Sequence, residues 1–279
     1  MKTRIITALI ALPVIIASII LPMWWPQTVW LFVAIAAFAL AAGLFEFYSL
    51  TKKLELKADA GIAYLGAAAL FTGFVFDAPA KAPDLILATL ALFLIVVLVS
   101  QALRFQKDFS KMLTGVGMTV FGVLYVEFLG GYLVAMRMGF ENRPNLSSHL
   151  LAYFFLVIFA SDIGAYFAGR ALGKHKLAPT ISPGKTVEGL VGGILAASGA
   201  AVLATFWFFP ELPYQFSIPL AVVLAIVGVL GDLAESAIKR GAGAKDAAAI
   251  LPGHGGFLDR LDSLLFGAPI LYYFARFYF

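Results

Sequence analysis

Residues 231–262 read GDLAESAIKRGAGAKDAAAILPGHGGFLDRLD. An apolar run, Ala221 to Leu230, leads into this stretch, and another, Leu264 to Phe279, leads out of it. Between them stand five acids (Asp232, Glu235, Asp246, Asp259, Asp262), four bases (Lys239, Arg240, Lys245, Arg260) and three clustered glycines (Gly253, Gly255, Gly256). The chain around it is 62% hydrophobic, with a mean hydropathy of +0.94 and only 13% charged residues. Such a balance excludes an ordinary soluble domain and identifies a polytopic α-helical membrane protein. Charges in this setting are costly unless paired, hydrated or metal-bound, so the 231–262 stretch is the first candidate for function.

Working outward, nine apolar segments are long enough to cross about 30 Å of hydrocarbon as helices. They cover residues 5–23, 27–48, 60–77, 84–103, 112–136, 149–169, 187–209, 216–235 and 257–279. They lack the alternation of a barrel, and lipid leaves a continuous apolar backbone no other satisfied form than helix. The fold class expected is therefore all-α, with about nine transmembrane helices. The N-terminal Lys2 and Arg4 before an apolar run resemble a signal peptide. The run is long and no small-residue cleavage site follows, so it reads as the first membrane helix, kinked at Pro13. With the N-terminus placed in the cytoplasm, 16 of the 20 Lys and Arg fall on inner segments, which leaves Lys81, Arg137, Arg143 and Arg276 outside. Trp24-Trp25-Pro26 reads as an interfacial anchor. There are no cysteines, which excludes disulfides and thiolate metal sites. No internal repeat or low-complexity linker divides the chain. It reads as one membrane domain, 1–279, with N-terminal scaffold helices in 1–148 and the chemistry in 149–279.

Three clusters converge on the cytoplasmic boundary. Asp232, Glu235, Ser236 and Lys239 recur at i, i+3, i+4 and i+7, one face of a helix. Pairing of Glu235 with Lys239 explains part of that stripe but leaves Asp232, which has no base at i+4. Next, the Gly253–Gly256 turn before Asp259, Arg260 and Asp262 could offer backbone N–H groups to a phosphate. The same acids could instead cap the following helix. Two acids at i and i+3, with Asp232 nearby, resemble a hard-cation site of the kind that suits Mg²⁺. His254 is a weak signal. The third cluster runs from Ser161 and Asp162 through Tyr166, Arg170, Lys174, His175 and Lys176 to Ser182-Pro-Gly-Lys185-Thr-Val-Glu188. Ser182-Pro183 reads as a helix start. Gly184-Lys185-Thr186 is not a P-loop, because Pro179 occupies the required glycine position and a preceding strand is not expected. Acids for a metal, bases for phosphates and glycines for backbone contact suit phosphoryl or nucleotidyl transfer.

The stretch Ser236-Ala-Ile-Lys239-Arg240, Lys245-Asp246 and Leu251-Pro-Gly-His254-Gly-Gly-Phe-Leu-Asp259-Arg260-Leu-Asp262 closely resembles the signature of the phosphatidate cytidylyltransferase (CDP-diacylglycerol synthase) family. Ser161-Asp162-Ile-Gly-Ala-Tyr166, Gly173-Lys174-His175-Lys176 and Ser182 to Glu188 also resemble that family, and the likeness covers roughly residues 155–265. It implies a homodimeric enzyme of the bacterial cytoplasmic (inner) membrane, its active site facing the cytoplasm, that joins CTP to phosphatidic acid from membrane lipid and releases pyrophosphate. It implies no nucleic-acid partner. Asp232, Asp259 and Asp262 would hold Mg²⁺, with K⁺ as a second ion. Catalysis would fall to Asp232, Asp259, Lys239, Asp262 and Asp246. Substrate contacts would come from Ser182, Lys185, Lys176, Arg240, Lys245, Arg260, Gly255, Gly256, Asp162 and Glu188. Two rivals differ in testable ways. A CTP-dependent polyprenol- or phytol-type kinase would not release pyrophosphate. A cation-coupled transporter would carry acids near the midplane of two related halves.

Overall fold

A computed structural model describes residues 2–77, 84–105, 109–140, 143, 145–244 and 256–279, with the backbone alone for residues 2–8 and 10. The helices are α1 (Lys2–Ile20), α2 (Val29–Lys53), α3 (Ala60–Phe76), α4 (Asp84–Arg104), α5 (Met112–Gly122), α6 (Leu129–Met138), α7 (Leu146–Leu172), α8 (Val187–Trp207), α9 (Tyr214–Gly241) and α10 (Leu258–Tyr278). A π-helical turn, Val123–Phe128, joins α5 to α6, so the two form one rod. Every apolar segment expected from the sequence falls on a helix, and the protein is an all-α polytopic membrane protein. Among the described residues, six helices are long and apolar enough to cross a membrane, while α3 and the Ala11–Met23 stretch are shorter apolar helices. The bundle's outer faces carry large apolar side chains such as Phe277, Leu113, Phe206 and Trp207, exposed by 75 to 85%. Water would not tolerate that much apolar surface, whereas lipid matches it.

The C-terminal helices hold together through close backbone approach. A Cβ added at Gly193 of α8 would stand 3.0 Å from the Ser161 carbonyl oxygen of α7, so only a small residue lets the two axes come so near. Where α9 meets α10, a Cβ on Gly231 would press on the Asp262 carbonyl and stand 3.2 Å from the Phe266 ring. Gly231→Ala is therefore expected to cost about 1–3 kcal/mol by overpacking. A lowered unfolding midpoint in detergent checks this; an unchanged midpoint would mean that the pair shifts apart freely. Helix α10 also packs on α2, α6 and α7.

Two local expectations are corrected. Residues Lys176–Ala178 (β1) and Ser182–Thr186 (β2) form an antiparallel hairpin, with Lys176 opposite Thr186 and Ala178 opposite Ser182. Ser182-Pro183 thus opens a strand, not a helix. The helix begins five residues later, where the Thr186 hydroxyl accepts the Gly189 N–H at 3.1 Å and caps α8. The strand holding Gly184-Lys185-Thr186 is that segment itself and does not precede a phosphate loop. Helix α9 runs to Gly241, well past the 216–235 bound expected for this segment, so Lys239 and Arg240 are helical. Arg137, counted among the outer charges, is only 3% exposed. Its guanidinium donates to Ser148 at 2.9 Å, far along α7 from Asp162, and ties α6 to the start of α7.

Candidate active site

The C-terminal part of α7, the hairpin, and the facing ends of α9 and α10 enclose a cleft of about 490 Å³. Asp162, Tyr166 and Arg170 reach it from one face of α7, at i, i+4 and i+8. The hairpin contributes Lys185 and Thr186, α9 contributes Asp232, and α10 contributes Asp259, Arg260, Asp262 and Ser263. Four acids and three bases thus converge from four elements that are far apart in sequence.

Their charges are arranged in pairs. The Lys185 ammonium stands 2.6 Å from Asp232 Oδ2 across the cleft. Asp232 Oδ1 accepts the Ser236 hydroxyl at 3.3 Å, one turn further along α9. Deeper in, the Lys239 ammonium lies 2.6 Å from Glu235 and also binds Asp259 directly. Glu235 is 1% exposed, and its Oε1 finds no hydrogen-bond partner among the described residues. A buried charge is tolerated in an apolar bundle only with an opposite charge close by, and Lys239 supplies it to both Glu235 and Asp259. Asp262 is 9% exposed, and its Oδ1 accepts the Ser263 N–H at 2.6 Å.

The structure separates the residues singled out in the sequence into groups. Asp162, Lys185, Asp232, Asp259, Arg260 and Asp262 line the cleft together. Lys176, Ser182, Glu188, Lys239, Arg240 and Gly256 do not line it. Glu188 instead accepts the backbone N–H groups of Lys174 and His175 at 3.1 and 3.2 Å and pairs with the His175 ring at 2.6 Å, fastening the entry to the hairpin. Arg240 donates to the Ile181 carbonyl at 3.3 Å, which fixes α9 to the tip of the hairpin. Lys239 is held between two acids behind the cleft. Lys245, Asp246, His254 and Gly255 lie outside the described residues.

The expectation that Gly256 offers its N–H to a phosphate is corrected. That N–H donates to Asp259 Oδ2 at 2.9 Å. The next two, on Phe257 and Leu258, donate to Glu46 of α2 at 2.9 and 2.8 Å. A helix start within an apolar bundle leaves donors that water cannot reach, so carboxylates take them. Glu46 was visible in the sequence as an acid within an apolar run, but nothing local linked it to residues more than two hundred positions away. Thr186 and Ser263 were missed for a plainer reason, since small hydroxyls carry no pattern.

Among the described residues, no three Asp, Glu or His side chains stand together as a ready-made metal set. Asp232 and Asp259 are compensated by lysines instead. The cleft still concentrates carboxylate oxygens beside cationic side chains. A pocket of this composition, set in a helical membrane bundle, suits a membrane protein that handles phosphate groups.

Comparison with known proteins narrows that class. The model of the cytidylyltransferase family matches residues 2–278, and the chain belongs to this family. It is thus a nucleotidyltransferase. A phosphatidate cytidylyltransferase of Bacillus subtilis (strain 168) is 36% identical over 282 residues, covering 98% of this chain and 97% of the relative. The phosphatidate cytidylyltransferase of Staphylococcus haemolyticus is 46% identical over 123 residues, 44% of this chain and 47% of its own. That of Haemophilus influenzae is 40% identical over 153 residues, 53% of each chain.

Proposed function

We propose that the chain transfers the cytidylyl group of CTP to phosphatidate, giving CDP-diacylglycerol and pyrophosphate. The observation that carries the reading is the cleft itself. Lys185, Arg170 and Arg260 face Asp162, Asp232, Asp259 and Asp262 at the end of an apolar bundle. Full-length similarity to the Bacillus subtilis enzyme supports the choice of substrates. An oxygen of the phosphatidate phosphate forms a bond to the α-phosphorus of CTP. The bond from that phosphorus to the bridging β-oxygen breaks, and pyrophosphate leaves with the electron pair. In-line transfer of this kind asks the protein for positioning and charge neutralisation more than for a covalent nucleophile.

In this reading Lys185, Arg170 and Arg260 neutralise phosphate oxygens, and Asp162 orients the substrate at the wall formed by α7. The exposed apolar helix faces leave the acyl chains in lipid while the headgroup enters the cleft. The chemistry of a divalent cation suits Asp232, Asp259 and Asp262, which bring hard carboxylate oxygens to one cleft, and its binding would displace the lysines that now pair with Asp232 and Asp259. We assign Mg²⁺ to these acids, with K⁺ as a second ion. When bound, such an ion supplies neutralisation of the charge on the transferring phosphate. The excess of Lys and Arg on inner segments supports a cytoplasmic N-terminus and a cleft open to the cytoplasm, in the inner membrane of a bacterium. The resemblance adds a homodimer, which the mass of the protein in detergent tests.

The assay is direct. Purified protein with CTP, phosphatidate and Mg²⁺ is expected to release pyrophosphate and form CDP-diacylglycerol. Chelation with EDTA is expected to stop release, and added Mg²⁺ to restore it. CDP and a phosphorylated alcohol in place of pyrophosphate would assign the chain to the lipid kinases.

A further inference from the structure

Helix α10 brings three charged residues to the cleft within its first two turns: Asp259, Arg260 and Asp262. Their placement depends on where the helix starts and how it is rotated about its axis. The start is held from outside the C-terminal half. Glu46, in the last third of α2 and 0% exposed, spreads its two carboxylate oxygens over the N–H groups of Phe257 and Leu258. Gly256 lies flat against the same carboxyl group. A Cβ there would stand 2.9 Å from Glu46 Cδ and 3.0 Å from its Oε1. The contact continues along both helices. The Phe38 ring meets the Phe257 ring edge-on at 5.3 Å, and a Cβ on Gly43 would touch Leu261 at 3.1 Å. Asp259 completes the arrangement by accepting the Gly256 N–H and binding Lys239.

A carboxylate with one oxygen on each of two successive N–H groups fixes position and rotation together, which a single hydrogen bond cannot do. We infer that Glu46 is a positioning residue for the transfer reaction, setting the start of α10 so that Asp259, Arg260 and Asp262 stand correctly in the cleft. The inference rests on the cytidylyl-transfer reading given above. Glu46 itself does not line the cleft. Small misplacements of catalytic groups lower turnover steeply while leaving substrate affinity nearly intact.

The test uses the full-length protein in detergent with phosphatidate, comparing wild type, Glu46→Gln and Glu46→Asp. Pyrophosphate release against CTP concentration gives kcat and KM, and thermal unfolding is followed on the same samples. Glutamine keeps the shape but turns an NH₂ toward one of the two N–H groups. Glu46→Gln is expected to lower kcat about 10-fold or more, with KM for CTP within about 3-fold and an unfolding midpoint close to wild type. Aspartate keeps both acceptors on a shorter arm, so Glu46→Asp should recover part of the lost kcat. Wild-type kcat in Glu46→Gln overturns the inference. So does a loss that tracks unfolding in both variants alike, which marks a purely structural contact. A wild-type protein that releases no pyrophosphate would instead remove the cytidylyl-transfer reading.

Discussion

Asp232→Asn is expected to lower kcat/KM by about 10²–10³-fold, the usual cost of removing one preorganised electrostatic group from a transfer site. The substitution keeps the shape of the side chain and removes only its charge. Asp232 sits where α9 faces the hairpin, 2.6 Å from the Lys185 ammonium and in the same cleft as Asp162 and Asp262. Asparagine would still accept from Ser236, so the helix face stays intact. What it loses is the anionic partner of Lys185 and one oxygen donor for a divalent cation. The Asp232 side chain is 38% exposed, so its pair with Lys185 contributes at most about 1 kcal/mol to folding. A small change in unfolding midpoint together with a large loss of pyrophosphate release is therefore the expected outcome. Activity within about 2-fold of wild type, against the loss expected, would take Asp232 out of the chemistry.

Lys185→Ala is expected to lower kcat/KM by about 10²-fold, with a raised KM for CTP. Lys185 is carried on β2, and its side chain is 20% exposed, so the ammonium faces the cleft more than the solvent. A triphosphate entering there competes with Asp232 for this cation. Lys185→Arg should retain more activity, since it preserves charge, although its fork geometry differs from a point charge. The double variant Asp232→Asn with Lys185→Ala decides whether the two act as a unit. Groups in one network lose less together than the product of their single losses. A purely multiplicative loss measured by pyrophosphate release would show that Lys185 acts on substrate without reference to Asp232.

Much of the fold was legible because the signal is a bulk property. A run of about twenty apolar residues can satisfy its backbone in lipid only as a helix, whatever its neighbours are. The acids that line the cleft were legible for the complementary reason: Asp162, Asp232, Asp259 and Asp262 stand out where the surrounding composition makes charge costly. The hairpin at 176–186 was not legible. Its residues carry no strand alternation, and Ser182-Pro183 imitates a helix start, while the ladder pairing Lys176 with Thr186 makes the strand. Nor could charge type separate Lys185, which lines the cleft, from Lys239, which is locked between Glu235 and Asp259.

By itself the sequence determined that this is a helical membrane protein, which acids and bases are candidates, and which family signature they resemble. Those are statements about residue type and spacing along one chain, and hydrocarbon imposes them locally. Only the tertiary structure decided which carboxylate meets which partner. Glu46 reaches Phe257 and Leu258 across 211 and 212 positions, and Lys185 reaches Asp232 from another element. Such pairings depend on helix axes brought close by small residues like Gly193 and Gly231, and on donors at the start of α10 that must be satisfied away from water. The stretch from Gly231 to Asp262 supplies Asp232, Asp259, Arg260 and Asp262 to the cleft. The far wall is built by α7 and the hairpin, and the start of α10 is clamped by a residue of α2.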